Sequence, residues 1–187
     1  MQAIAAGGVT DNASSDAGRR LDFGELFQAY HSRIYNYFRC RVNSQEDAED
    51  LTGQTFEKAY MHRGRFDAAK GTFPAWLYSI AHNILANYYR THQRRSTYEA
   101  EGGLPADLMT SVSLPETQVI QAETISRLLR SLRHLNERDQ EVITLKFAGQ
   151  LSNKDIGQVM GLKEKTVSVV LWRAMGRLQR QLKGDVS

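Results

Sequence analysis

Only three prolines interrupt the 187-residue chain, Pro74, Pro105 and Pro115, and two of them fall within one short stretch. Proline is the strongest helix breaker, so long proline-free segments whose apolar residues recur at three- and four-residue steps are committed to helix. Phe23, Leu26, Phe27, Tyr30, Ile34 and Phe38 form such a stripe over residues 22–40. Ser44, followed three places on by Asp47, is a helix N-cap, and Ala48, Leu51, Thr55 and Ala59 share one face beyond it, with Glu46, Asp50 and Glu57 opposite. Residues 61–73 carry Gly64 and Gly71 without a period and read as a loop. A third helix starts near Pro74 and runs through Trp76, Leu77, Ile80, Ala81, Ile84 and Tyr88 to the basic end RTHQRR.

Residues 96–115 lose all periodicity and hold Gly102, Gly103 and two prolines, the composition of a linker. Extended, it spans up to roughly 65–70 Å, so the segments on either side can reach sites nearly two DNA turns apart. Beyond it, Val119, Ala122, Ile125, Leu129, Leu132 and Leu135 make another stripe, and Asn136 caps a helix that Gly149 ends. The expectation is an all-α chain of two small helical domains, 22–95 and 116–187, joined by a flexible linker, 96–115, after a disordered segment, 1–21.

A hydrophobic content of 41% with 24% charged residues is ordinary for a folded soluble protein. The single cysteine, Cys40, excludes an internal disulfide and a zinc ribbon, and points to a reducing cytoplasm. The N-terminal segment lacks a basic region followed by an apolar run, and nowhere do 18 apolar residues follow one another, so neither a leader nor a membrane span is expected. Net charge is +3, unevenly placed: −3 over 22–60, +5 over 61–95, −4 over 96–145 and +5 over 146–187. Two basic stretches between acidic ones suit a protein that meets a polyanion at two places.

The segment 151–182 is the most specific. Ser152 and Asp155 cap a short helix with Ile156 and Val159 inward, Gly157 admits a close crossing, and Gly161 supplies a left-handed stop with Leu162 plugging the turn. A second helix begins near Lys163, with Val167, Val170, Leu171, Ala174 and Leu178 as its buried stripe. This is a helix-turn-helix, which places Lys163, Glu164, Lys165, Thr166 and Ser168 at the major groove, Lys154 beside them, and Arg173 and Arg177 along the phosphates. In the first basic stretch, aromatic residues interleave with Arg63, Arg65, Arg90, Arg94 and Arg95, as binding of unpaired strands requires. Phe73, Trp76 and Tyr88 sit at core spacing, which leaves Asn83 and Asn87, one turn apart, to read base edges.

The runs DAEDLTGQTFEKAY, RFDAAKGTFPAWLYSIAHN with NYYR, and LRHLNERDQEVITLKFAGQLSNKDIGQVMGLKEKTVSVVLWRA resemble the two-domain extracytoplasmic-function (ECF) sigma factors of bacterial RNA polymerase. The resemblance implies a first domain that docks on core polymerase and melts the minus-ten element, and a second that reads the minus-thirty-five element as duplex. Carried onto this sequence, Asp47, Asp50, Leu51 and Gln54 are the polymerase contacts, and an anti-sigma protein is a further partner. No cofactor, metal or catalytic residue is implied. The chain departs from the family at Gly53-Gln54, where Gln-Glu is usual, at Asn87, where aspartate is common, and at Ser168 and Val170, which are often basic. A repressor with a ligand-sensing first domain is the alternative, which leaves the basic, aromatic-rich end of that domain without a purpose. A metalloenzyme lacks any His-Glu-x-x-His or Glu-x-x-His spacing.

Overall fold

A computed structural model describes residues 22–98 and 116–184, with side chains over 22–92 and 124–183. The described residues form seven α-helices and one short 3-10 turn: α1 (Phe23–Arg39), α2 (Gln45–Met61), the turn Arg63–Arg65, α3 (Phe73–Tyr98), α4 (Glu116–Arg133), α5 (Glu137–Phe147), α6 (Asn153–Met160) and α7 (Glu164–Gly184).

Short polar residues set where several of these helices begin. Ser44 Oγ accepts the Asp47 amide at 3.2 Å, Asn136 Oδ1 the Asp139 amide at 2.9 Å, and Ser152 Oγ the Asp155 amide at 3.1 Å. α3 is capped by Thr72, whose Oγ1 accepts the Ala75 amide at 3.2 Å, so Pro74 lies in the first turn, one place inside the start. α3 also continues to Tyr98, past the boundary expected at residue 95, because no breaker occurs before Gly102. Gly161 ends α6 at φ 66°, as its lack of Cβ permits. α5 ends at Phe147, with Ala148 as its cap and Gly149 next. The left-handed residue is Gln150, at φ 54°, whereas an added Cβ at Gly149 would lie 2.7 Å from the Leu145 carbonyl and 3.0 Å from the Tyr78 ring. Gly149 is there for close approach, not for its dihedral freedom.

α1, α2 and α3 bury Ile34, Phe38, Ala48, Leu51, Phe56, Leu77 and Ile84 between them. Thr52 and Thr55 lie in the same core, each hydroxyl donating at 2.7 Å to the carbonyl four residues back, which removes the cost of burying it. α5, α6 and α7 enclose Val142, Leu145, Ile156, Val167 and Ala174. Gly157 lies against the turn that follows it, since a Cβ there would stand 2.6 Å from the Leu162 carbonyl.

The linker length and composition predict two halves free to move independently, and the described residues show them docked. The buried apolar residues of both halves belong to one continuous cluster. Its polar centre is Glu141 on α5, 4% exposed. Tyr37 of α1 donates its hydroxyl to Glu141 at 2.8 Å, His82 Nδ1 of α3 lies 2.9 Å away, and Arg41, just past α1, closes an ion pair with the same carboxylate. Burial pushes the Glu141 pKa up, but the His82 hydrogen bond and the Arg41 charge prevail and hold it below the ordinary carboxylate value. Arg33 Nε donates to the Gly149 carbonyl at 3.1 Å, Thr72 Oγ1 to Asp155 Oδ1 at 2.7 Å and Gln158 Nε2 to the Lys70 carbonyl at 3.2 Å.

Candidate nucleic-acid interface

The acidic face of α2 splits into residues that reach solvent and residues that hold the fold. Asp50 and Gln54 are exposed one turn apart, with Gly53 beside them in open space. Leu51, expected as a surface contact, is 4% exposed and belongs to the core, because it follows the stripe of Ala48 and Thr55. Asp47 is half-buried and accepts the Tyr88 hydroxyl at 2.8 Å, so it braces α2 against α3. Tyr88 consequently serves packing, as its spacing predicts. Its phenol is pushed well above the ordinary value, first by burial and then by this hydrogen bond.

The surface facing along α3 carries the first basic set. Asn83, Asn87 and Arg90 are exposed, and Asn87 Oδ1 accepts from Arg90 at 2.8 Å. Asn87 and Gln54 line the same open groove between α2 and α3, together with Lys58 and His92, which brings a residue from the polymerase set and one from the strand set to one place. Arg63 and Arg65 are exposed on the 3-10 turn, with the Arg63 guanidinium 4.2 Å from the Tyr60 ring centroid. Arg94 and Arg95 lie outside the residues whose side chains are described. Phe66, Phe73 and Trp76 meet as a trio with centroids 5.5–5.6 Å apart, Phe73 and Trp76 packed against the core.

In the helix-turn-helix, Lys154, Lys163, Glu164, Lys165 and Arg173 are exposed and Thr166 is half-buried. Lys163 stands just before α7, its carbonyl accepting the Val167 amide at 3.1 Å. Two residues expected at DNA have structural partners. Ser168 Oγ accepts from Asn153 Nδ2 at 3.0 Å and donates to the Glu164 carbonyl at 3.3 Å, which locks α6 to α7. Arg177 pairs with Asp139 at 2.6 Å, whose side chain is 4% exposed, so its first task is to neutralise a buried carboxylate. Sequence reasoning missed Val169 and Trp172, which are 48% and 78% exposed on the outward face of α7. Among the described residues no group of three or more His, Cys, Asp or Glu side chains can hold a metal ion, and no helix is long and apolar enough to cross a membrane.

Two family models match these two surfaces: Sigma-70 region 2 over residues 26–95 and Sigma-70, region 4 over residues 125–178. Among curated relatives, the ECF RNA polymerase sigma factor BldN of Streptomyces coelicolor is 33% identical over 171 residues, 91% of this chain and 64% of its own length. The ECF sigma factor SigM of Bacillus subtilis is 28% identical over 85% of this chain and 94% of its own. The chain belongs to the ECF sigma factors. The sigma factor RpoE of Bartonella quintana, solved with the anti-sigma factor NepR, matches the fold at a TM-score of 0.71 and 21% identity, over 87% of this chain and 97% of that one. In this sigma factor, region 2 therefore comprises α1 to α3, and the region 4 match extends from within α4 into α7.

Proposed function

We propose that this ECF sigma factor binds core RNA polymerase and directs promoter-specific initiation as a non-catalytic subunit. Asp50 and Gln54 of α2 face the polymerase. Asn83, Asn87 and Arg90 of α3, with Arg63, Arg65, Arg94 and Arg95, handle the melted minus-ten strand, and Lys154, Lys163, Glu164, Lys165, Thr166 and Arg173 meet the minus-thirty-five duplex. The domain assignment 22–95 and 116–187 is part of the same reading, as are a cytoplasmic location and an anti-sigma partner. The observation that carries it is the coincidence of each family-region match with its own exposed polar and cationic surface, one at the end of a helical bundle and one on a helix-turn-helix. A ligand-sensing repressor is disfavoured because its sensor would have to be the segment that matches Sigma-70 region 2.

The test is reconstitution with core polymerase on promoters found by mapping the transcript starts that forced expression induces. Initiation that depends on the added chain and tracks two upstream elements is the expected result. Tight, sequence-specific duplex binding by the chain alone, without initiation, would favour the repressor.

A further inference from the structure

The outward face of α7 is defined by its core. Val167 and Ala174 are fully buried and Leu178 is 6% exposed, which fixes the inward direction. At 100° per residue, Lys165, Val169, Trp172 and Gly176 point about 140–180° from that direction, so they form the stripe presented to anything that receives this helix. Two of these four are large apolar residues, Val169 at 48% and Trp172 at 78% exposure. Three residues apart on one helix, they place adjacent apolar surface in the middle of this outward stripe. The cations around them, Lys163, Lys165 and Arg173, are all exposed and give the surface a polyanion's complement. The neighbouring hydroxyl of Ser168 is held by Asn153 and the Glu164 carbonyl, so it is engaged within the protein.

Val169 is the sixth residue of α7, within the two turns that reach base edges in a helix-turn-helix. It carries two methyl groups and no side-chain donor or acceptor. The apolar group that a major groove displays is the C5-methyl of thymine. We propose that Val169 is a specificity-determining residue that packs against a thymine methyl in the upstream promoter element, with Trp172, one turn on, covering that contact from water. The inference rests on the reading of α7 as the duplex reader and adds the base it selects: a thymine recognised by its methyl group, beside the position that Lys165 reads.

The test uses the holoenzyme, assembled from the full chain and core polymerase, on promoters taken from mapped start sites. Each thymine of the upstream element is replaced singly by deoxyuridine, which removes the methyl and leaves the base pair unchanged. Binding should fall about three- to fivefold at one position, the loss that goes with exposing one methyl-sized group. Val169→Ala should weaken the unmodified promoter by a similar factor and abolish the difference between thymine and uracil there, with association to core unchanged. Trp172→Ala should reduce that difference without shifting its position. An upstream element without thymine, indifference of the wild type to every uracil, or an equal uracil effect in Val169→Ala would overturn the proposal. So would a loss of core association in Val169→Ala or Trp172→Ala with the uracil effect intact, which would make this face a protein-docking surface. If the wild-type holoenzyme initiates and tracks the upstream element, any of these results removes the thymine contact alone. Absence of chain-dependent initiation would instead remove the functional reading beneath it.

Discussion

Replacement of Glu141 by alanine tests whether the two halves are held by chemistry or merely adjacent. The carboxylate is 4% exposed and takes three partners from the other half, Tyr37, Arg41 and His82. Its removal leaves Arg41, itself 7% exposed, as a buried cation without its counter-charge, and strips the Tyr37 hydroxyl, in a residue at 0% exposure, of its acceptor. Breaking a buried ion pair from one side costs about 3–5 kcal/mol, which is large beside the roughly 5–15 kcal/mol that holds a small protein folded. The lost bonds all cross between the halves, so the cost falls on docking. Fluorophores on cysteines at Glu57 and Arg180, with Cys40 replaced by serine, should report lower transfer efficiency, while circular dichroism retains the helical signal. Glu141→Gln should lie between the wild type and the alanine variant. The pH dependence has a definite sign. The hydrogen bond to Glu141 raises the His82 pKa against the effect of burial, so its contribution is complete below the ordinary 6.5 and is lost as pH rises through the elevated value. The lowered Glu141 contributes fully above its ordinary 4.5 and loses its contribution as pH falls through the depressed value. Docking should therefore be firmest between 4.5 and 6.5 and loosen on the alkaline side. Unchanged transfer efficiency and an unchanged urea midpoint in Glu141→Ala would refute this account.

Gly53→Ala places a methyl in open space within a helix interior and should raise stability by about 0.5–1 kcal/mol, read as a higher urea midpoint at constant slope. Arg177→Met should lower stability by about 1–3 kcal/mol through the unpaired Asp139, so a loss of promoter binding in this variant should be accompanied by a lower melting temperature. Gly149→Ala forces a Cβ against the Leu145 carbonyl and the Tyr78 ring, and should cost about 1–3 kcal/mol in thermal unfolding.

What could be read from the sequence was local. Ser44, Asn136, Ser152 and Gly161 announce helix ends because a cap or a left-handed stop is satisfied within three or four residues. Gln150 gives no such sign, since nothing in glutamine asks for a positive φ. The roles of Glu141 and Arg177 were illegible for another reason: their partners lie 100 and 38 residues away, at Arg41 and Asp139. The exposed positions Asp50, Gln54, Asn83, Asn87 and Lys165 followed from the opposite side of each apolar stripe. Val169 and Trp172 fall on that side too, away from the expected stripe of Val167, Ala174 and Leu178, but an outward apolar side chain shows no polar group to suggest a partner, and its exposure in the structure is what marks it.

α5 carries Glu141 toward the first half and Asp139 toward Arg177 of α7, two residues apart on one rod. With that rod in place, the interval between the α3 surface and the α7 surface is a dimension of packed side chains, as a beam sets the gap between two walls. Its ruler lies within α5, and one altered carboxylate there should change it.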